Sequence, residues 1–254
     1  SNKIAFKVNN LSAKFNDPFL TDLKNINFDV KEGEIFGIAG VAGNGQSELM
    51  DFLTGENIII DSGSIIFNNI NIENYNPKKR RNLSISFVPE NRLGHSAVPE
   101  LTLLENVLLS QFPKNNFTNN GIINYQNIKK HVNKVIKNFN VITPDSDAKA
   151  SSLSGGNLQK FVIGREMSSN PKLLIISHPT WGIDAGAEFA IRQSLISLSK
   201  KGTSIIVISQ DLDELFEITH RISVIFDGAL SNSYQTKEVS LEKIGLLMGG
   251  HKNV

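Results

Sequence analysis

The chain has 254 residues, 40% of them hydrophobic and 20% charged, with a formal net charge of +1. That length supports a full core, while the near-neutral balance excludes strong steering toward nucleic acid or anionic lipid, so no nucleic-acid partner is expected. The absence of cysteine excludes disulfides, thiolate zinc sites and cysteine nucleophiles.

In chain order, "IAFKV" (4–8), "INFDV" (26–30) and "SIIF" (64–67) alternate or are β-branched between Gly and Asn turns. They predict a partly antiparallel sheet near the N-terminus. "EIFGIA" (34–39), "SISFV" (84–88), "KLLIIS" (172–177) and "TSIIVIS" (203–209) are more continuously apolar, as parallel strands covered on both faces are. Lys78-Lys79-Arg80-Arg81 reads as a solvated face. In residues 93–150, "TLLENVLLSQF" and "YQNIKKHVNKVIKNFN" predict helices and no buried strand is evident. A further helix is expected over 186–200, closed by Gly202. The fold class that follows is α/β: a doubly wound, mostly parallel core from residues 1–92 and 151–254, with a helical subdomain inserted at 93–150. No apolar run approaches the roughly 18–20 residues that span a bilayer.

The strand at 34–39 runs straight into Gly40-Val41-Ala42-Gly43-Asn44-Gly45-Gln46-Ser47, and "SELMDFL" follows with helical spacing. Strand, glycine loop and helix in that order are what a phosphate-binding loop requires. Gly40, Gly43 and Gly45 let backbone N–H groups turn inward as an anion nest, and the helix N-terminus adds its dipole. Ser47 holds the position whose hydroxyl would support magnesium. The lysine position carries Gln46, which offers a neutral hydrogen bond in place of a charge. Taken alone, the stretch would read as a structural glycine turn.

"SSLSGGNLQKFVIGREM" (151–167) is a second such terminus. Ser154 is suited to cap a helix, Gly155 and Gly156 permit close backbone approach, and Leu158, Phe161, Val162 and Met167 fit one helical face. With its neighbours it resembles the signature motif of the ABC-type ATPases. "KLLIISHPTWGID" resembles that family's Walker B strand and D-loop, "VISQDLDEL" its switch segment and "FVPENR" its Q-loop. The resemblance covers the whole chain and implies a P-loop NTPase-type ABC ATPase fold with a RecA-like core. It implies ATP as ligand, with ADP as its product, and a nucleotide-binding set of Phe15, Gly40, Gly43, Asn44, Gly45, Gln46, Ser47, Glu48 and Glu90. The signature set is Ser154, Gly155, Gly156, Asn157 and Gln159. Phe15 sits where the family often places an adenine-stacking aromatic, and core packing is the equal alternative.

The family's chemistry is depleted here. Ser177 and His178 stand where it has the metal-supporting aspartate and the glutamate base, Gln210 where it has the switch histidine, and Glu90 where it has the Q-loop glutamine. His178 is chemically competent as a base, but packing or hydrogen bonding at the strand end is the simpler reading. Little or no ATPase activity and weak or absent Mg2+ binding are expected of the isolated chain. Because family domains pair head to tail, Ser154 to Asn157 remain fit to grip ATP held by a partner domain, with Asp184 at the D-loop position.

The motifs resemble most the second, C-terminal nucleotide-binding domain of tandem importer ATPases for nucleosides or simple sugars, with Gln46 and the missing acids favouring the nucleoside branch. Trp181 departs from the arginine expected before Gly182-Ile183-Asp184. The implied partners are a second nucleotide-binding domain in the same polypeptide and transmembrane permease subunits, at the cytoplasmic face of the membrane. A non-catalytic nucleotide-binding regulator and a soluble tandem ABC ATPase are the alternatives.

Overall fold

The computed structural model describes residues 2–112, 117–119 and 122–251. The elements run β1 (Ile4–Ala13), β2 (Leu23–Lys31), β3 (Ile35–Ala39), α1 (Gln46–Thr54), β4 (Ser62–Phe67), β5 (Ile70–Asn71), α2 (Pro77–Asn82) and β6 (Ile85–Val88). Then come α3 (Leu103–Gln111), β7 (Thr118–Asn119), β8 (Ile122–Ile123), α4 (Tyr125–Asn138), a 3-10 turn (Ala150–Ser152), α5 (Gly155–Ser168) and β9 (Leu173–Ser177). The chain ends with α6 (Ala185–Lys200), β10 (Ser204–Ser209), α7 (Leu212–Ile218), β11 (Arg221–Phe226), β12 (Ala229–Leu230), β13 (Tyr234–Gln235) and α8 (Leu241–Met248).

Two main sheets form. β2-β1-β4-β5 is antiparallel, and the larger sheet has the order β12-β11-β3-β10-β9-β6, with β13 also pairing β11. From β11 through β3, β10 and β9 to β6 every pairing is parallel. Period-2 geometry sends alternate side chains to opposite faces. Leu174, Ile176, Ile205 and Val207 enter one hydrophobic cluster, whereas Leu173, Ile175, Ile206 and Ile208 enter the other, against the antiparallel sheet. That double coverage is why these strands read as unbroken apolar runs. The mostly parallel core, the N-terminal antiparallel sheet and the helices α3 and α4 between β6 and β9 agree with the sequence reading. A short exposed hairpin, β7–β8, lies between those helices and was not foreseen.

The basic run departs from its reading as a solvated face. Lys78 and Lys79 are exposed, but Arg80 is wholly buried. Its guanidinium donates to the carbonyls of Tyr75, Leu53 and Ile72, each at 2.8 Å. Three charge-assisted bonds offset the loss of water, although burial still pushes its pKa down to about 10. Arg81 lies with its guanidinium carbon 4.1 Å from the Phe87 ring centre and pairs with Glu166 at 2.7 Å. Helix α5 is likewise buried from Leu158 to Met167 apart from Lys160, rather than along one face. Its polar residues Gln159, Arg165 and Glu166 are therefore partnered inside the protein. Among the described residues no helix is long and apolar enough to cross a membrane.

Candidate functional site

The register aligns Ala39 with Ser209, Ser177 with Ile208, and Val88 with Ile176. The segments holding Gly40–Ser47, Gln210, Ser177–His178 and Glu90 therefore leave neighbouring strands at one carboxyl edge, where open α/β sheets bind ligands. This edge gathers four of the sequence-predicted segments.

Gly43 and Gly45 adopt φ of 84° and 106°, the left-handed turn that brings successive N–H groups to one side. Gly45 is the N-cap of α1 and supplies no side-chain cap, so the N–H groups of the first turn stay available to an anion. Asn44 fastens the loop to the β11–β12 turn: its side-chain oxygen accepts from the Asp227 N–H and its carbonyl from the Gly228 N–H, both at 3.0 Å. Gln46 folds back on the loop. Its amide donates to the Val41 carbonyl at 2.6 Å and accepts from the Asn44 N–H at 3.1 Å. Ser47 is exposed, whereas Glu48 is buried and accepts from the Thr21 N–H at 2.9 Å, bracing the loop from beneath. Phe15 is half-buried, with its ring 6.3 Å from Phe52, and borders a cavity of about 420 Å³ shared with Asp17, Leu20, Thr21 and Asp227.

On α1, burial, reinforced by Glu56 and Glu48, raises the Asp51 carboxyl to about 6, against a smaller opposing pull from His95. Its folded pKa exceeds its ordinary value of 3.8, so the folded state holds that proton longer than the unfolded state does. The ionised group therefore costs stability above pH 6, and the penalty disappears below about pH 4. Asp51→Asn is expected to stabilise the chain by about 1–2 kcal/mol at pH 7.5. Urea unfolding at pH 7.5 and pH 4 checks this, and an equal gain at both would refute the electrostatic origin.

At the end of β9, Ser177 is buried and His178 turns into the left-handed region at φ 46°. The His178 N–H bonds to the Ile208 carbonyl at 2.8 Å. Its ring packs 5.3 Å from Trp181, and Nε2 stands 3.8 Å from a Glu90 carboxylate oxygen. Burial pushes the imidazole down, outweighing Glu90 and Asp211, so it is neutral at pH 7. Gln210 is exposed and shares a cavity of about 190 Å³ with His178, Trp181 and Glu214. Glu214, which the sequence reading passed over, is buried and accepts from the hydroxyls of Thr180 at 2.7 Å and Ser209 at 2.9 Å. Burial raises its pKa, against the opposing pull of the two hydroxyls, which engage both of its oxygens. Among the described residues no three His or acidic side chains gather as a metal site.

The α5 terminus is built as its sequence suggests. Ser154 caps it, accepting from the Asn157 N–H at 3.4 Å and from that side chain's amide at 3.0 Å. Gly155 is exposed, and Asn157 also accepts from the Ile142 N–H at 2.9 Å. Gln159 is buried and donates to the Pro179 carbonyl at 3.1 Å, tying α5 to the loop after β9. Asp184 caps α6 through the Ala187 N–H at 2.9 Å and lies 3.4 Å from the Lys160 ammonium. Among the described residues no hydrogen bond or ion pair joins the α5 terminus to Gly40–Ser47.

A family model described as "ABC transporter" matches residues 23–181. The nucleoside import ATP-binding protein NupA of Lactococcus lactis subsp. cremoris is 40% identical over 232 residues, which cover 91% of this chain and 46% of that protein. The guanosine import ATP-binding protein NupO of Bacillus subtilis is 38% identical over 228 residues, 90% of this chain and 44% of that one. The chain thus spans less than half the length of these relatives. The dimeric structure of MJ0796, a bacterial ABC transporter cassette, superposes with a TM-score of 0.79 at 24% identity, covering 92% of this chain and all of that one.

Proposed function

Since the chain belongs to the ABC transporter family, we propose that it is the second nucleotide-binding domain of a tandem importer ATPase for nucleosides. In this reading it completes a partner domain's hydrolytic site with its α5 terminus and does little hydrolysis of its own. One observation carries the reading: the strand edge that holds the phosphate loop lacks a lysine and an acid at β9, while α5 keeps a capped, open N-terminus. The relatives named for nucleoside and guanosine import favour nucleosides over simple sugars.

The loop fits ATP, since its glycine turn and uncapped helix terminus suit a phosphate. Magnesium fits poorly. Ser47 offers a hydroxyl, but Ser177 is buried, His178 is neutral, and Glu214 is engaged by two hydroxyls. Magnesium would supply neutralisation of phosphate charge, with Ser47 as its one candidate ligand among these residues; the residues here orient the nucleotide without that support. In the full assembly the chain would sit at the cytoplasmic face of the membrane beside permease subunits, with α3, α4 and the segment around Glu90 passing closure of the paired domains to them.

Calorimetric titration tests the local site. ATP is expected to bind with the same affinity with and without magnesium; a tenfold magnesium dependence would sink that part. Gln46→Lys, restoring a charged contact of about 1.5–3 kcal/mol, is expected to tighten ATP binding roughly ten- to hundredfold. An unchanged affinity would show that the folded-back amide is not what limits the site. ATP-driven uptake of nucleoside but not ribose by the full-length protein with its permease checks the cargo, and the reverse preference refutes it.

A further inference from the structure

Arg92 follows β6 in a tight turn, its carbonyl accepting from the Ala97 N–H at 2.8 Å. The guanidinium crosses to two other segments. One terminal nitrogen donates to the Trp181 carbonyl, in the loop between β9 and α6. A methyl group on Gly182 would meet that nitrogen at 3.3 Å, and one on Gly155, the first residue of α5, would meet the other at 3.0 Å. The planar fork is therefore wedged between the signature turn and the 181–184 loop, and bare Cα atoms on both sides make room for it. Gly156 borders the same junction, where a methyl would lie at an ordinary contact distance of 3.5 Å from the Gly182 carbonyl.

Three facts show that this placement is unfavourable to the guanidinium's charge, so that the contacts with the two segments are what hold it. Burial pushes the guanidinium below its ordinary pKa. No ion pair to a carboxylate holds it among the described residues. It also stands beside a helix N-terminus, whose partial positive charge opposes it. Its turn is anchored from two further directions: Arg165 of α5 donates to the Ser96 carbonyl at 2.8 Å, and His95 meets Glu56, just beyond α1, at 2.7 Å.

We propose that Arg92 is a positioning residue for the hydrolytic site completed in trans. It fixes the α5 terminus and the 181–184 loop at one separation, so that the signature N–H groups and Asp184 meet the partner's nucleotide as a unit. The inference rests on the reading of α5 as a signature donor. A lysine cannot substitute, because its compact ammonium could reach the Trp181 carbonyl but would not fill the space between the two segments that the planar fork occupies.

The test is steady-state ATP hydrolysis by the full-length polypeptide assembled with its permease. Arg92→Ala is expected to lower kcat about tenfold with KM for ATP unchanged within about twofold, the pattern of lost transition-state alignment. Arg92→Lys, which keeps the charge, is expected to recover less than half of the loss and serves as the decisive variant where the alanine form melts early. Gly156→Asp in the same protein is the reference. If it abolishes hydrolysis while both Arg92 variants keep full kcat, or shift KM alone, the role of Arg92 is overturned and the trans reading survives. If Gly156→Asp leaves hydrolysis intact, the trans reading fails and this inference fails with it.

Discussion

Gly156→Asp is expected to reduce ATP hydrolysis by the full-length transporter at least about 10²-fold, the scale set by removing one preorganised donor to transferring charge, while leaving the fold as stable as before. The stability half of that expectation comes from the helix. Gly156 is the second residue of α5, and the nearest atoms to an added Cβ lie at 3.5–3.9 Å, ordinary contact distances. An aspartate in a first turn gains from the macrodipole by about 0.3–1 kcal/mol and replaces the residue with the costliest backbone entropy. The activity half follows from the proposed reading, in which the same carboxylate would stand where a partner's terminal phosphate approaches, and two anions repel. Melting temperature and hydrolysis measured together check it. A parallel fall in both would make the glycine structural, and undiminished hydrolysis would remove α5 from the reaction.

The second large effect is on stability. Glu166 is fully buried on α5, with one oxygen accepting from Arg165 at 2.8 Å and the other from Arg81 at 2.7 Å. Burial alone would raise its carboxyl, but the two guanidiniums outweigh that and hold it below the ordinary value of 4.5. Glu166→Ala leaves Arg165, itself 3% exposed, as a buried cation with no counter-charge. Such losses cost about 3–5 kcal/mol, and urea unfolding is expected to show that drop. Replacing Arg165 and Glu166 together with methionine and leucine is expected to cost less, because the fully buried cation goes too and Arg81, 21% exposed, can turn to water. A loss below about 1 kcal/mol for the single variant would show that water or rearrangement rescues the arginine. Linkage adds a direction. The depressed carboxyl contributes stability above pH 4.5, and that contribution fades as pH falls through its folded value.

What was legible in the sequence was periodic or local. The strand from Ile35 to Ala39, the glycine turn and α1 announce themselves through apolar continuity and glycine spacing. Ser154 caps α5 with atoms three residues away, so its role needs no distant information. What escaped depends on parts of the chain far apart in sequence. Nothing in Lys78-Lys79-Arg80-Arg81 distinguishes the third residue, yet Arg80 is the one that reaches the Leu53 carbonyl near the end of α1 and those of Ile72 and Tyr75 after β5. Asn76-Pro77 did carry a helix-start signal for α2, since Asn76 accepts from the Lys79 N–H at 3.0 Å. The fold-back of Gln46, the engagement of Glu214 and the wedge of Arg92 were invisible for the same reason. A side chain's partner across the fold is a tertiary fact, and residue type alone leaves it open.

The strand order has a bearing on how the chain comes to have its phosphate loop at all. Among the described residues β3, from which that loop springs, pairs only with β10 and β11, made more than 150 residues later, while β1 pairs with β2 and β4. The antiparallel sheet can close early from nearby residues, but β3 has no ladder partner until residue 209 has emerged and lacks its second until residue 226. The Asn44 latch onto Asp227 and Gly228 comes later still. During synthesis the nascent chain therefore carries the glycine loop as unshaped sequence for more than 150 residues after it is made, and nucleotide cannot assist its folding until β10 and β11 are in place.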